Sequence, residues 1–393
     1  MLLSVGEQLA HAAQLLAWIF VALNLLISVY GLIVGLRGFQ SQPELEAART
    51  TRRFAVLIPA RNEENVLPHL LESLRHQQYP PESFTVFVAA DNCTDDTARV
   101  ARECGATVLK RFDDTRRGKS WTLHWAFSRL PLEDFDGVAV FDADNLVHPD
   151  FLTRMNDYLE THPKADAIQG YLDVKNPDDS WITRASALSY WMTNRFWNRA
   201  RANWGLENTL GGTGLLVRSP VLREIGWNVR SLTDDFEFSV QLILAGRSIH
   251  WNDEAITYDE KPTTFAASYR QRRRWMQGHF WVLRRYGWQM LGRFLTSFDL
   301  KHWDAFLYMV NPVRVLAGLA FVVTQLLTGR LFDASGGAAV SCLGHGHPAA
   351  LHVGALRDRE APRVHRLPVS SLPQDSHLQI KDFVKSESFT RGL

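Results

Sequence analysis

The chain has 393 residues, of which 46% are hydrophobic and 22% are charged, so most of it should fold around a sizeable core. A formal net charge of +1 gives no electrostatic reason to expect nucleic-acid binding. The three cysteines, Cys93, Cys104 and Cys342, have no metal-type spacing and suggest neither a disulfide framework nor a zinc site. The 13 tryptophans are concentrated between Trp181 and Trp303, which indicates a membrane interface.

The N-terminal segment, residues 1–13, precedes an apolar stretch at residues 14–36 that is long enough for a transmembrane helix, which needs about 20 residues. A cleaved signal peptide is the alternative, but the apolar run is too long and no basic segment precedes it. Arginines are concentrated in the polar linker that follows, residues 37–53. This asymmetry predicts an anchor in the cell (inner) membrane, with the N-terminus outside and the chain after Arg37 in the cytoplasm.

Short apolar runs alternate with helical segments from residue 54 to residue 141. The predicted strands are 54–58, 85–90, 106–109 and 138–141, and the predicted helices between them are 64–76, 95–103 and 118–129. This alternation is typical of βαβ units, in which a mostly parallel sheet carries helices on both faces. We therefore predict an α/β fold of the nucleotide-binding type over residues 54–262, although architecture alone specifies no function.

Polar residues follow the predicted strands. Asp142 and Asp144 come directly after the strand at 138–141, where open α/β sheets bind their ligands. Alternate carboxylates at such a place can hold a hard divalent cation that also binds phosphate oxygens. The alternative is a capped, solvated turn, because such sequences are common in loops.

Two other strand-end loops carry residues that could bind parts of a nucleotide. Asp91 lies at the end of its strand, where it could accept a hydrogen bond from a nucleobase, whereas Thr94 and Asp95 more simply cap the next helix. Lys119 opens a helix after a glycine, where backbone N–H groups and a lysine could meet a phosphate, although no complete P-loop precedes it.

The second half of the domain contains a glycine loop at 210–214 and an acidic cluster, Thr233-Asp234-Asp235, that opens an apolar helix. Glycine permits close approach of a ligand to the backbone. The alternative for the acidic cluster is a helix cap with first-turn acids that favour the helix dipole.

An amphipathic, basic and aromatic segment at 263–300 contains the sequence Gln271 to Trp275 and fits a helix at the membrane surface. A second candidate transmembrane helix at 303–328 contains Pro312 and Arg314, which are costly there. The tail at 329–393 has no helical or strand period and is either a flexible tail or a frame-shifted reading.

In this order the motifs resemble those of the membrane-bound family 2 glycosyltransferases, the group that includes cellulose, hyaluronan and chitin synthases. The resemblance covers about residues 54–288. The matching segments are D-x-D at Asp142-Ala143-Asp144, T-E-D at Thr233-Asp234-Asp235 with Asp replacing Glu, Q-x-x-R-W at Gln271-Arg272-Arg273-Arg274-Trp275, the strand-end aspartate at Asp91, and the acceptor-side glycine loop at Gly211 to Gly214.

The resemblance implies a GT-A fold and a transferase that uses a nucleotide-diphosphate sugar, most often a UDP-sugar. It implies that Mg²⁺ or Mn²⁺ is held by Asp142 and Asp144. Donor contacts are expected from Arg61, Glu63, Asp91, Lys119, Asp142, Gln271 and Arg274, and acceptor contacts from Gly212, Thr213, Thr233, Asp234 and Trp275.

Asp235 is the expected general base, because an acceptor hydroxyl needs a carboxylate to take its proton during attack on the anomeric carbon. Direct displacement inverts the configuration, so an α-linked donor should give a β-linkage to a glycan or lipid acceptor. The Asp at position 234 should alter acceptor geometry rather than abolish the chemistry. Processive synthesis is doubtful because a single candidate span follows the catalytic region, so transfer of one or a few sugars or a truncated synthase is expected.

Two other functions fit parts of the pattern. A sugar-phosphate nucleotidyltransferase shares the sheet and the metal chemistry, but it needs neither the second acidic cluster nor a membrane anchor. A catalytically impaired protein that binds nucleotide or glycan at the membrane is the other alternative, although Asp142, Asp144 and Asp235 are all present.

Overall fold

The computed structural model describes residues 5–327, with side chains from 17 to 323, and the tail at 329–393 lies outside them. Eight strands form the sheet of the described region. They are β1 (Phe54–Ala60), β2 (Phe84–Asp91), β3 (Thr107–Arg111), β4 (Gly137–Val140), β5 (Leu146–Val147), β6 (Ala167–Val174), β7 (Leu215–Arg218) and β8 (Ile249–Asp259).

The sheet has the order β3-β2-β1-β4-β7-β6-β8-β5. Strands β3, β2, β1 and β4 are parallel, which confirms the predicted βαβ half. Strand β7 runs antiparallel to both of its neighbours, β4 and β6, and β8 is again parallel to β6. The loop that enters β7 therefore lies at the same edge of the sheet as the carboxyl ends of β4, β6 and β8.

Helices cover both faces of the sheet. Those of the described chain are α1 (Val5–Leu36), α2 (Leu67–Arg75), α3 (Thr97–Glu103), α4 (Lys119–Phe127), α5 (Phe151–Thr161), α6 (Trp181–Thr193), α7 (Ala200–Trp204), α8 (Ser219–Ile225), α9 (Asp234–Leu244), α10 (Phe265–Ser297) and α11 (Leu300–Leu327), with a π-helical turn at Asn194–Arg199.

The central strand β1 explains why the sheet is covered on both sides. Phe54, Val56 and Ile58 pack in a core with α2, α3 and α5, whereas Ala55 and Leu57 pack on the opposite face with α4, α8 and α9. Successive side chains of a strand point to opposite faces, so a continuous apolar run must be buried on both.

Two helices of the described chain are long and apolar enough to cross a membrane, at Ala17–Phe39 and Leu300–Val323. Their rings meet at Phe20 and Phe321, whose centroids lie 6.0 Å apart, and the Tyr30 hydroxyl donates to Asp304 Oδ1 at 2.9 Å. Phe20, nearer the beginning of α1, contacts Phe321, near the end of α11, whereas Tyr30 contacts Asp304, near the beginning of α11. The two helices therefore run antiparallel.

The basic aromatic segment forms one long helix, α10. Its buried residues, among them Gly278, Val282, Gly287 and Met290, face the protein, whereas Phe265 and Trp288 are exposed. A position at the membrane surface stays a prediction.

Candidate active site

The predicted donor-side and acceptor-side motifs meet at the edge where β4 ends and β7 begins. Lys119, the first residue of α4, donates through Nζ to Asp142 Oδ1 and, at 2.7 Å, to the carbonyl oxygen of Gly212. The backbone N–H of Asp142 donates to Thr213 Oγ1 at 3.1 Å. The D-x-D loop and the glycine loop are therefore bonded to each other directly.

The glycine loop lies against Asp235, at the beginning of α9. Gly212 has a φ of +84°, and a Cβ built there would lie 3.2 Å from Asp235 Oδ2 and 3.7 Å from Lys119 Nζ. Only glycine adopts this backbone conformation without strain. Gly212 thus lets the backbone approach both the carboxylate of Asp235 and the ammonium of Lys119.

Burial, together with the adjacent charge of Asp234, raises the pKa of Asp235 to about 7. Burial also raises the pKa of Asp234, whose Oδ2 has no hydrogen-bond partner among the described residues. Burial lowers the pKa of Lys119, but the carboxylates of Asp142, Asp234 and Asp235 outweigh it and leave that pKa above its ordinary value. A carboxyl with a pKa near neutrality can take up a proton at physiological pH.

Asp144 is surrounded by other carboxylates. Burial raises its pKa to about 7, and the nearby carboxylates of Asp259 and Asp142 contribute. Lys175, just beyond β6, donates to the Asp144 carbonyl at 3.1 Å and pairs with Glu260 at 3.0 Å. Oxygen donors and uncompensated negative charge fit a hard divalent cation.

The chain itself would supply few ligands to such a cation. Over the part of the chain that the structure describes, no three His, Cys, Asp or Glu side chains are grouped as a metal site. Mg²⁺ is commonly held by one or two carboxylates together with substrate phosphates and water, so Asp142 and Asp144 fit a cation that binds with the donor.

The loops after β1 and β2 are bonded to each other. Asn62 Oδ1 accepts from the N–H of Thr94 at 2.8 Å, and the Glu63 N–H donates to Thr97 Oγ1 at 2.8 Å. The Asp95 carboxylate accepts from the N–H of Thr97, the first residue of α3, but the residue at the cap position is Asp96, whose side chain forms no capping hydrogen bond. Burial and the charge of Asp142 raise the pKa of Glu63.

The remaining predicted donor residues differ in exposure. Asp91 is only 2% exposed and accepts at 2.5 Å from Arg111 Nη1 and at 3.0 Å from Asn92 Nδ2, so one of its oxygens is engaged within the protein. Arg61 is exposed. Contacts of both residues with a nucleotide stay predictions.

The Q-x-x-R-W motif lies one turn before the contact between α10 and the beginning of α9. A Cβ added to Gly278 would lie 2.5 Å from Thr233 Oγ1 and 2.7 Å from its backbone nitrogen. Gln271 and Trp275 are half-buried and Arg274 is exposed, and their side chains form no hydrogen bond within residues 17–323. These three side chains are available to a ligand.

Sequence reasoning missed the residues that support these loops. Gln169, in β6, accepts from the Gly211 N–H at 2.7 Å and donates to the carbonyls of Thr213 and Gly214. The period-two pattern of an apolar strand gives no signal for this role. Asp259 and Lys175, at the ends of β8 and β6, could have been found from the strand-end rule, had those strands been assigned.

Glu237 was also missed, because a glutamate in the first turn of a helix is ordinary. It is buried, and it accepts from the backbone N–H groups of Arg230 and Ser231 and, at 3.0 Å, from the Tyr286 hydroxyl of α10. It therefore holds α10 and the loop before α9 together.

The sequence is similar to those of several known glycosyltransferases. A family profile described as "Glycosyltransferase like family 2" matches residues 51–278. The probable glycosyltransferase YdaM of Bacillus subtilis is 28% identical over 70% of this chain and 66% of its own. The beta-monoglucosyldiacylglycerol synthase of Nostoc is 28% identical over 69% of this chain and 58% of its own. The poly-beta-1,6-N-acetyl-D-glucosamine synthase of Staphylococcus epidermidis is 25% identical over 70% and 66%.

The chain thus spans about three fifths to two thirds of the length of these relatives. Among solved structures, a mannosyltransferase of Pyrobaculum calidifontis in complex with GDP-mannose and Mn²⁺ has a TM-score of 0.53 and 16% identity, and the match covers 83% of this chain and 97% of that one. The shared fold confirms the predicted GT-A architecture. A family profile that covers more than half of the sequence identifies this chain as a member of glycosyltransferase family 2.

Proposed function

We propose that the protein is a membrane-anchored inverting glycosyltransferase that transfers a sugar from a UDP-sugar to a hydroxyl of a glycan or lipid acceptor and forms a β-glycosidic bond. The observation that carries the proposal is that Asp235 lies against Gly212, while Lys119 bonds to both Gly212 and Asp142 of the D-x-D motif. A base for the acceptor and a charged site for the donor are thereby close to each other.

In the proposed reaction, the acceptor hydroxyl oxygen attacks the anomeric carbon while Asp235 takes its proton. The new carbon–oxygen bond forms as the bond to the diphosphate breaks, and the electron pair of that bond leaves with the nucleoside diphosphate. The raised pKa of Asp235 makes the carboxylate a better base than an ordinary aspartate. Attack from the side opposite to the leaving group inverts the anomeric centre.

The donor side rests on Asp142, Asp144 and Lys119. The two aspartates would hold Mg²⁺ or Mn²⁺, which when bound neutralises the charge that develops on the leaving diphosphate. The solved mannosyltransferase complex with Mn²⁺ supports a divalent cation. Because that complex contains GDP-mannose, GDP-sugars must be tested beside UDP-sugars.

The acceptor side rests on α9 and α10. Asp234 Oδ2 and Thr233 Oγ1 are buried without a partner among the described residues, and hydroxyl groups of an acceptor can satisfy them. Trp275 offers a flat apolar face to a sugar ring. The relatives named above include synthases of a glucosyldiacylglycerol and of a polysaccharide, which supports both acceptor classes.

The membrane anchor is proposed from the two apolar, antiparallel helices. The C-terminal end of α1 and the N-terminal end of α11 then lie on the same side of the membrane as the catalytic domain. The arginines after α1 favour the cytoplasm as that side. A catalytically impaired binding protein is the remaining alternative, whereas family membership leaves no reason to retain a nucleotidyltransferase.

The first experiment measures nucleoside-diphosphate release in membranes that contain the full chain, with Mg²⁺ or Mn²⁺, across UDP-sugars and GDP-mannose. We expect release with one donor and a loss of roughly 10²–10⁴ in rate for Asp235→Asn with donor binding intact. A variant that keeps most of its turnover would refute the role of Asp235. Nucleotide binding without release for any donor, with glycan and lipid acceptors supplied, would favour the binding protein.

A further inference from the structure

Asn145, the residue after the D-x-D motif, is completely buried and uses both ends of its amide. Its Oδ1 accepts from the Thr213 hydroxyl and, at 3.3 Å, from the backbone N–H of Asp142. Its Nδ2 donates to Asp144 Oδ1 at 3.2 Å and to Asp259 Oδ1 at 3.1 Å. One side chain thus joins the D-x-D loop, the glycine loop and the end of β8.

The partners fix the orientation of this amide. Its oxygen faces two donors and its nitrogen faces two carboxylate oxygens, so a flipped amide would lose all four hydrogen bonds. The nitrogen is also the group that bonds both Asp144 and Asp259, two like charges at the same strand-end edge. Asp259 has a second partner in Lys261.

The Thr213 side chain belongs to the same arrangement. It is only 2% exposed, and its hydroxyl contacts both Asn145 and Asp142. This engagement favours a supporting role over direct contact of the hydroxyl with an acceptor.

We propose that Asn145 is a positioning residue, which holds the Asp144 carboxylate in the orientation that binds the divalent cation, and that Thr213 keeps Asn145 in place. The inference rests on the proposed function. Removal of a group that orients a metal-binding carboxylate typically costs 10–100-fold in affinity. The same hydrogen bonds tie the cation site to the loop that lies against Asp235, so the donor and acceptor sides share one support.

A buried asparagine also stabilises the fold, so stability and cation binding must be measured separately. Asn156 in α5 is a matched control, because it is buried as well, accepts from the Arg52 N–H at 3.3 Å and donates to the Thr50 carbonyl at 2.8 Å. These partners precede β1, at the opposite edge of the sheet from the strand ends that carry the site.

The experiment uses the full chain in detergent, without acceptor or sugar donor. Bound Mn²⁺ is measured by electron paramagnetic resonance, alone and with UDP or GDP, and the melting temperature is recorded for each variant. We expect Asn145→Ala to weaken Mn²⁺ binding by about 10–100-fold. Thr213→Val should weaken it in the same direction, Thr213→Ser should restore it, and Asn156→Ala should lower the melting temperature but keep the affinity.

Normal Mn²⁺ affinity in both Asn145→Ala and Thr213→Val would overturn the inference and leave the proposed function standing. An equal loss of affinity in Asn156→Ala would also overturn it, because binding would then follow stability rather than position. If Asn145→Ala does not fold, the nearly isosteric Thr213→Val decides. Failure of the unaltered chain to bind Mn²⁺ under every condition would overturn both the inference and the proposed cation.

Discussion

At the scale of single residues, the site holds more carboxylates than its cations balance. Asp142, Asp234 and Asp235 lie near Lys119, and Asp144 lies near Asp142. Burial disfavours the charged form of each acid whose pKa is raised. A free carboxylate with these surroundings is destabilising for the fold and useful for proton transfer. Activity and stability should therefore respond in opposite ways when one of these charges is removed.

Asp235→Asn tests this opposition. The folded-state pKa of about 7 lies above the ordinary value of an aspartate, so the folded state retains a proton that the unfolded chain releases. Stability of the unaltered protein should fall as pH rises from about 4 to about 7, and the variant should escape that loss. We expect the variant to unfold at a higher temperature at pH 8, with a stability advantage on the order of 4 kcal/mol, and to match the unaltered protein below about pH 4.

Thermal unfolding in detergent at a series of pH values measures the difference. A constant difference across the range would show that the Asp235 charge carries no such cost. The activity should show the reverse trend, since kcat/KM of the unaltered protein should decline as pH falls below about 7 and the base becomes protonated.

At the scale of secondary structure, the position of α9 depends on α10. Glu237 accepts a hydrogen bond from the Tyr286 hydroxyl of α10. Phe236 packs against two rings, with centroid distances of 4.3 Å to His279 of α10 and 4.9 Å to Tyr308 of α11. Asp235 therefore lies in the first turn of α9, which both α10 and α11 hold in place.

Gly278→Ala tests how closely α10 must approach Thr233 at the beginning of α9. The added Cβ would meet the backbone and side chain of Thr233, so α10 or the beginning of α9 must shift, at a cost of about 1–3 kcal/mol. We expect reduced kcat and a lower melting temperature. Gly292→Ala is the control, because nothing lies within 4 Å of its Cβ and an exposed helix gains stability from alanine. Equal activities of the two variants would show that the contact does not position Asp235.

Among the strands, some positions could be predicted from the sequence, whereas the direction of β7 could not. Strands such as 54–58 and 138–141 were predictable, because buried apolar runs end at polar turns, and the structure extends the first of them to Ala60. The reversed direction of β7 was not, since the alternation of side chains is the same in parallel and antiparallel strands. The contacts of Gly212 with Asp235 and of Asn145 with Thr213 depend on that reversal, so they could not be predicted from the sequence.

At the scale of the whole molecule, the arginines that follow the first apolar helix predict that the catalytic domain lies on the cytoplasmic side of the membrane. Cys104, just after α3, is exposed, and a chain in which it is the only cysteine can be labelled with a membrane-impermeant maleimide. We expect labelling in permeabilised cells but not in intact cells. Labelling of intact cells would refute the cytoplasmic orientation, and an unreactive cysteine-free variant is the control.

The buried ion pair between Arg201 and Asp304 has a practical consequence. Asp304 belongs to the apolar helix α11, and it receives two hydrogen bonds from the guanidinium of Arg201, at 2.7 and 2.9 Å. Removing one partner of such a pair costs about 3–5 kcal/mol, because the other charge stays buried. A water-soluble enzyme for crystallisation or screening therefore cannot be obtained by ending the gene before α11. It would need to keep residues 300–309, which carry Asp304 and Tyr308, and to replace the exposed apolar residues of α1 and of the rest of α11 with polar ones.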